Sequence, residues 1–240
     1  MNAASLSNVS RSFAIDVRLD LKQVADILRL KGSVHLSSIL RPPDAKALHD
    51  EMEGYRQWLL SLKIGTWDRV LRQDASSLDA AREMEIRDQA YAAATEHAHL
   101  YKRALVSVRD TPVLFSFIQF LNSTPFIEFA RQVTGYSSIA PLQPRVLSLG
   151  PGHFISSHSD EPDSGVHRTN YLFQLAPDWS PDWGGHLEFL DSHGGDVQEA
   201  YVPRFNTLSL FATPRWHAVN MVALFAPRNR YTISGFIDSA

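Results

Sequence analysis

Hydrophobic positions change their period along this chain. From Leu21 to Leu30 the apolar residues Leu21, Val24, Ile27 and Leu28 fall three and four apart, which puts them on one face of a helix. Gly32 ends that stretch, and Val34 to Leu40 reads as a strand running into a turn. Pro42-Pro43-Asp44 opens a second helix, with Asp44 as its N-cap and Leu48, Met52 and Tyr55 on one face. Trp58 to Leu71 is dense in Trp, Leu and Ile and predicts short strands broken at Gly65. Ala80 to Val106 is rich in Ala, Glu and Arg and has no Gly or Pro, so it predicts one long helix. His97 and His99 stand two apart on it and would not share a face. They therefore read as surface or core histidines without a metal role. Pro112 to Leu121 predicts another helix. Asn122-Ser123-Thr124-Pro125 caps one more over Phe126 to Val133, with Pro in the first turn and Gly135 at the end.

After Gly135 short β-branched and aromatic runs alternate with Gly, Pro and Asp turns. The expected strands are Arg145 to Leu149, Phe154 to His158, Arg168 to Leu175, His186 to Leu190, Gln198 to Val202, Thr207 to Phe211, His217 to Ala223 and Tyr231 to Ile237. Strands this short, at near-regular spacing, suggest a two-sheet sandwich or a barrel. Asp191 to Asp196 contains Gly194-Gly195 and reads as a hairpin turn, which sends His193 to solvent and away from any metal. The expectation is an α+β fold in one domain spanning 1–240. Its 1–135 part is a mainly helical layer packed on one sheet, and its 136–240 part is a β core.

Composition narrows the chemistry. Hydrophobic residues make up 44% and charged residues 20%, enough apolar material for a packed core. The formal net charge is −3 and there is no basic run, so nucleic acid is not an indicated partner. With no cysteine, disulfides and thiolate ligands are excluded, and any metal must be held by nitrogen and oxygen. Met1 to Arg11 lacks the basic start and apolar centre of a secretory signal. No apolar run has the length to span a bilayer. A cytoplasmic protein with no membrane partner is the expectation.

One triplet carries metal chemistry. His158-Ser159-Asp160 is the sole His-x-Asp in the chain. On an extended segment residues two apart point the same way, so the imidazole and the carboxylate can reach one ion. A pair like this leaves room for a third protein ligand and open positions, as in the two-His, one-carboxylate sites of non-haem Fe(II) oxygenases. Such a triplet also arises by chance in a chain with ten histidines. Singly, each residue has a plainer reading: His158 as a buried histidine bonded to backbone, Asp160 as a turn former before Pro162, Arg230 as a surface ion-pair partner.

Three further segments follow in order: Trp183-Gly184-Gly185-His186-Leu187-Glu188-Phe189, then Arg204 to Phe211 running on to Trp216-His217-Ala218-Val219, then Arg230-Tyr231-Thr232-Ile233-Ser234-Gly235-Phe236. In this order and spacing the chain resembles the Fe(II)/2-oxoglutarate-dependent dioxygenases, and within them the prolyl-hydroxylase-like branch, over about Pro125 to Ile237. Asn122-Ser123 and the helix ending in Thr134-Gly135 also look like that branch. The resemblance implies a double-stranded β-helix, or jelly roll, with Fe(II), O2 and 2-oxoglutarate as cofactors and co-substrates and ascorbate as a further candidate. It implies His158, Asp160 and His217 as iron ligands. It implies Arg230 as anchor of the far carboxylate of 2-oxoglutarate, because a planar guanidinium fork suits a carboxylate. Thr232, two residues on, faces the same way and can donate to that carboxylate. Arg228, in a turn beside Pro227, is the weaker claimant.

The chain departs from the branch in two places. A Tyr often found on the strand after His-x-Asp aligns with Gln174, which retains a hydrogen-bonding group for the co-substrate. The Tyr often found before the Gly-rich turn is Leu149. Tyr171 has the opposite parity to Gln174 and should face the other side of the strand. The implied reaction hydroxylates an unactivated C–H bond with succinate and CO2 as co-products. The implied substrate is a prolyl residue of a protein or peptide, with a free amino acid or other small molecule as alternative. A non-catalytic jelly-roll binding module is the reading from another class. An open groove would fit a peptide and a closed cavity a small molecule.

Overall fold

The computed structural model describes residues 11–15, 18–64, 67–74, 80–94 and 97–240, so the expected break at Gly65 lies outside the described residues. Five helices and twelve strands follow one another: α1 (Leu21–Lys31), β1 (Ser33–Ser37), α2 (Pro42–Gly54), β2 (Leu59–Ile64), β3 (Trp67–Asp74), α3 (Ala80–Ala92), β4 (Ala98–Arg103), α4 (Pro112–Leu121), α5 (Thr124–Thr134), β5 (Arg145–Leu149), β6 (Phe154–His158), β7 (Arg168–Gln174), β8 (Leu187–Leu190), β9 (Val197–Tyr201), β10 (Thr207–Ala212), β11 (His217–Val219) and β12 (Arg230–Asp238). All eight strands expected after Gly135 form, within a few residues of the expected bounds.

Every strand pairing is antiparallel, in the order β1-β10-β7-β12-β5-β4-β6-β11-β8-β9, with β2 added beside β4 and β3 beside β2. The sheet curls until its two ends meet as the two leaves of a jelly roll: Leu187 and Phe189 of β8 pack against Phe211 of β10. On the outer face of β1, β10, β7 and β12 lies the helical layer. Leu28, Leu48, Met52, Phe117 and Phe126 from α1, α2, α4 and α5 pack against Val34, Phe173, Leu208, Leu210 and Ile233. Among the described residues no single helix is long and apolar enough to cross a membrane.

Two expectations need correction. The helix predicted over Ala80 to Val106 ends at Ala92, and Ala98–Arg103 is strand β4. Local propensity favours helix throughout, but tertiary pairing decides the second part. Ala98 and Leu100 pack on one side with Ile86 and Ala90 of α3, while His99 and Tyr101 face a cavity on the other. The N-terminal part thus contributes strands as well as a helical layer. Nor is Asp44 an N-cap. The helix begins earlier, with Arg41 at its N-cap, because Pro42-Pro43 can occupy first-turn positions that need no N–H. Asp44 sits inside the first turn, 2% exposed, where Arg11 Nε (2.9 Å) and Arg41 Nε (2.6 Å) donate to its carboxylate.

Polar clamps close the core. Asn206, with φ of 58°, accepts from Leu40 N through Oδ1 (2.9 Å) and donates to Leu40 O through Nδ2 (2.7 Å). Asn122 does the same for Leu142, at 2.8 Å and 3.0 Å, which ties the α4–α5 corner to the chain entering β5. His153 holds the turn before β6: its Nδ1 accepts from Gly150 N (3.1 Å) and its carbonyl accepts from Val222 N (2.9 Å).

Burial, aided by the nearby charge of Lys102, pushes the His153 imidazole from 6.5 down to about 4, so it stays neutral in the folded protein. The unfolded chain takes up that proton as pH falls below 6.5 and the folded chain does not, so stability is lost between pH 6.5 and 4. The slope is at most about 1.4 kcal/mol per pH unit for one histidine. His153→Asn keeps an acceptor for Gly150 and removes the titration. Urea denaturation at fixed pH values should show a shallower acid loss for this variant than for the wild type, and parallel curves would remove His153 from the titrating set.

Candidate metal centre and its cavity

Strand pairing brings the ligand candidates together. β11 pairs with β6, and His217 stands directly opposite His158 in the register. The imidazole centroids lie 4.2 Å apart. Asp160 follows two residues beyond the end of β6, with Oδ1 3.8 Å from His158 Nε2 and Oδ2 3.4 Å from His217 Nε2. One ligand atom from each of the three lies within 4.8 Å of the others.

Both imidazoles are oriented from behind. His158 Nδ1 lies 2.9 Å from Ser156 O, and His217 Nδ1 lies 2.9 Å from Arg215 O. Those carbonyls accept an N–H, which puts the proton on Nδ1 and leaves each Nε2 lone pair aimed at Asp160. Burial and the neighbouring His217 push His158 down to about 4, so it is neutral at pH 7 and able to ligate. Burial opposes ionisation of Asp160. The nearby His217 and His158 and the Asn170 amide outweigh it and hold the carboxyl well below the usual carboxylate range. Asn170 Nδ2 donates to Asp160 Oδ2 at 2.9 Å. Two imidazole nitrogens and one carboxylate, with no sulfur, suit a non-haem Fe(II) ion.

Arg230 lies on the wall of the same cavity. This cavity, of about 470 Å³, is lined by the three ligand candidates and by Arg230, Thr232 and Ser234. On β12 the alternation is as expected, with Tyr231 and Ile233 turned into the helical-layer core. Arg230 is 1% exposed, and its Nε and Nη2 have no hydrogen-bond partner. Burial pushes its guanidinium down to about 9, which leaves it charged at neutral pH. A buried charge without a partner costs several kcal/mol and calls for an anion. Gly185 makes room for it, since a Cβ there would come within 3.4 Å of Arg230 Cδ. Gly184 and Gly185 hold φ of +63° and +67°, and a Cβ on Gly184 would overlap the Met221 carbonyl oxygen, so both glycines are structural.

The other expected site residues fall as follows. Thr232 lines the cavity and its Oγ1 donates to Gln174 Oε1 (3.1 Å). Gln174 is buried and stands outside the cavity lining, so its contact with the site runs through Thr232. Arg228 is exposed, donates to Pro177 O (3.2 Å), and is absent from the cavity. Tyr171 packs in the helical-layer core with Phe126 and Phe173, yet it also lines the cavity, which parity alone did not imply. His193 is exposed and packs on Trp216.

Asn170 was not singled out by sequence reasoning, although its even spacing from Gln174 on β7 places it on the cavity face. His97 and His99 were set aside on the helical reading of that segment. His97 instead packs 4.9 Å from the His158 ring, and His99 lines the cavity with Nε2 3.1 Å from Ser61 Oγ.

Comparison with known proteins agrees with this geometry. Residues 144–238, which include the strands that carry the metal-ligand candidates, match the family model of the 2OG-Fe(II) oxygenase superfamily. Among solved structures, a Pseudomonas putida prolyl-4-hydroxylase superposes with TM-score 0.60 at 16% identity, covering 92% of this chain and 99% of that one. A prolyl hydroxylase from Trichoplax adhaerens, in complex with a hypoxia-inducible-factor peptide fragment, gives 0.60 at 17% identity, covering 90% and 88%. The non-haem α-ketoglutarate-dependent epimerase SnoN of nogalamycin biosynthesis gives 0.56 at 12% identity, covering 90% and 81%. No curated protein matches. At these identities the superpositions establish the fold.

If His158, Asp160 and His217 hold one divalent ion, Mn(II) should raise the melting temperature, with about 2.7 kcal/mol of added stability at a hundred times Kd. Asp160→Ala should erase that shift and still fold, because the carboxylate lines a cavity and fills no core position. A full Mn(II) shift in the variant would take Asp160 out of the ligand set.

Proposed function

We propose that this protein is an Fe(II)- and 2-oxoglutarate-dependent oxygenase that hydroxylates an unactivated C–H bond. The observation that carries this reading is the pairing of two half-sites in one cavity: a neutral-His, carboxylate set and a buried guanidinium without an anion. When bound, Fe(II) and 2-oxoglutarate supply the oxidising power: R–H, O2 and 2-oxoglutarate become R–OH, succinate and CO2. The chain's own residues position and exclude. Ser156 and Arg215 carbonyls fix the two imidazoles, Asn170 holds the carboxylate, and Arg230 orients the far carboxylate of the co-substrate, while the Thr232 hydroxyl beside it is held by Gln174. Leu149 and Tyr101 line the same cavity and reduce the water around that charge pair, which strengthens it.

For the prime substrate, likeness to the Pseudomonas and Trichoplax prolyl hydroxylases suggests a prolyl residue. A small free acid is the second reading, favoured by the positive charge on the cavity wall. The decisive assay is iron-dependent formation of succinate from 2-oxoglutarate. A metal-loaded protein that binds 2-oxoglutarate but never releases succinate, with or without candidate substrates, would favour the binding-module reading.

Arg230→Ala should weaken 2-oxoglutarate binding far more than Arg228→Ala. Loss of a buried charge-assisted contact costs about 2–5 kcal/mol, and an exposed arginine contributes little. Arg230→Lys should recover part of the loss, since it keeps the charge and not the fork. The 2-oxoglutarate KM of the three variants measures this, and an equal effect at Arg228 would move the anchor there.

A further inference from the structure

The cavity carries more positive charge than the chemistry above uses. β2, β4, β5 and β12 run side by side. Their register sets Lys63 against His99, Ser61 against Tyr101, Arg103 against Leu147 and Arg145 against Ser234. Alternate strand positions share a face, and Lys63, Arg103 and Arg145 all line the cavity. Arg103 and Arg145 sit diagonally across the β4–β5 pair. Among the described residues, none of the three has a hydrogen bond or an ion pair; Arg145 stacks 5.6 Å from the Phe236 ring. The remaining basic groups are engaged: Arg168 is bidentate to Asp238 (2.8 and 2.9 Å), and Arg230 is assigned to 2-oxoglutarate. The acids that face this wall are the ligand candidate Asp160 and the exposed Glu161.

Like charges held on one wall repel unless an anion lies among them. Guanidinium forks match a planar carboxylate better than any neutral group. The volume of about 470 Å³ falls among pockets that hold whole drug-sized ligands, roughly 300–1,000 Å³. 2-Oxoglutarate is a small keto acid and leaves space for a second small molecule. Resting on the oxygenase reading, we propose that the prime substrate is a small free carboxylic acid. Arg103 and Arg145 bind its carboxylate, Lys63 adds charge beside them, and the C–H bond to be hydroxylated lies toward His158, Asp160 and His217.

Calorimetry tests this on Mn(II)-loaded protein saturated with 2-oxoglutarate. The probes are the free L-amino acids and 2-hydroxy acids, each beside its C-amidated form, with acidic and neutral proline-containing peptides added. A free acid should bind, and its amide should bind at least about tenfold more weakly, as loss of a charged contact requires. Arg103→Gln and Arg145→Gln should each weaken that acid by a similar factor without changing 2-oxoglutarate affinity. Because Arg145 is exposed at its strand end, its variant gives a folded control if Arg103→Gln fails to fold. The proposal is overturned if no free acid binds better than its amide, if the variants bind the acid as the wild type does, or if only an acidic peptide binds. Failure of 2-oxoglutarate itself to bind the Mn(II)-loaded protein would instead overturn the oxygenase reading on which the proposal rests.

Discussion

The site depends on the β6–β11 register. A slip of one residue would turn His217 to the opposite face and leave His158 facing an apolar side chain. Several contacts hold that register. Gly185 N donates to Met221 O, and Val222 N donates to His153 O, so the chain leaving β11 is tied both to the Gly-rich turn and to the start of β6. Asn220 reaches across to β8, where Oδ1 accepts from His186 N (2.7 Å) and Nδ2 donates to Glu188 Oε1 (2.7 Å). The two glycines let the backbones approach closely enough for these bonds. Glycine at 184 and 185 is thus part of how the metal ligands are aligned, although neither residue touches a metal.

Electrostatics gives the cavity direction. At one end two imidazoles and a carboxylate present nitrogen and oxygen donors to a divalent cation. On another wall, Arg230 is a cation stripped of water. 2-Oxoglutarate has a chelating keto acid and a distal carboxylate, so it can complete both. Each half-site is costly alone, since a buried charge without its partner is destabilising. Metal, co-substrate and protein should therefore bind with mutual support, and the free protein keeps strain that binding relieves.

Much of this was legible in the sequence, for physical reasons. On β7 and β12 the period of two is clean because one face turns toward the cavity and the other toward packed side chains. Parity alone then separates Arg230 and Thr232 from Tyr231 and Ile233. The His-x-Asp pair was legible because extended chain makes spacing translate into facing, and the distal His came only through the resemblance of the later segments to a known family. Arg228 and Arg230 could be ranked because a residue beside Pro227 sits in a turn. The segment from Ala98 to Arg103 was not legible. Its residues are ordinary helix formers or neutral in preference, and no glycine or proline marks the boundary with α3. What makes it a strand is the company of β2, β5 and β6, which are distant in sequence. Gln174 shows a second limit: parity gives a residue's face, but whether it touches a ligand or only a neighbour such as Thr232 depends on reach.

The same misread segment changes how the chain is organised. β4 belongs to the N-terminal half, yet it lies between β5 and β6 in the sheet. Those strands are joined by a short turn in sequence and are held apart by an element from far upstream. β4 also brings β2 beside it, and together they carry Lys63, His97, His99, Tyr101 and Arg103 to the cavity. The three metal-ligand candidates and the buried Arg230 come from the C-terminal part, inside the match over 144–238. The charged wall comes mainly from outside that match. In a fold shared by hydroxylases and an epimerase, reaction chemistry and substrate choice are set by different parts of the chain. Here the boundary falls at the insertion of β4, which brings Lys63 and Arg103 of the N-terminal half to a cavity that the C-terminal strands also line.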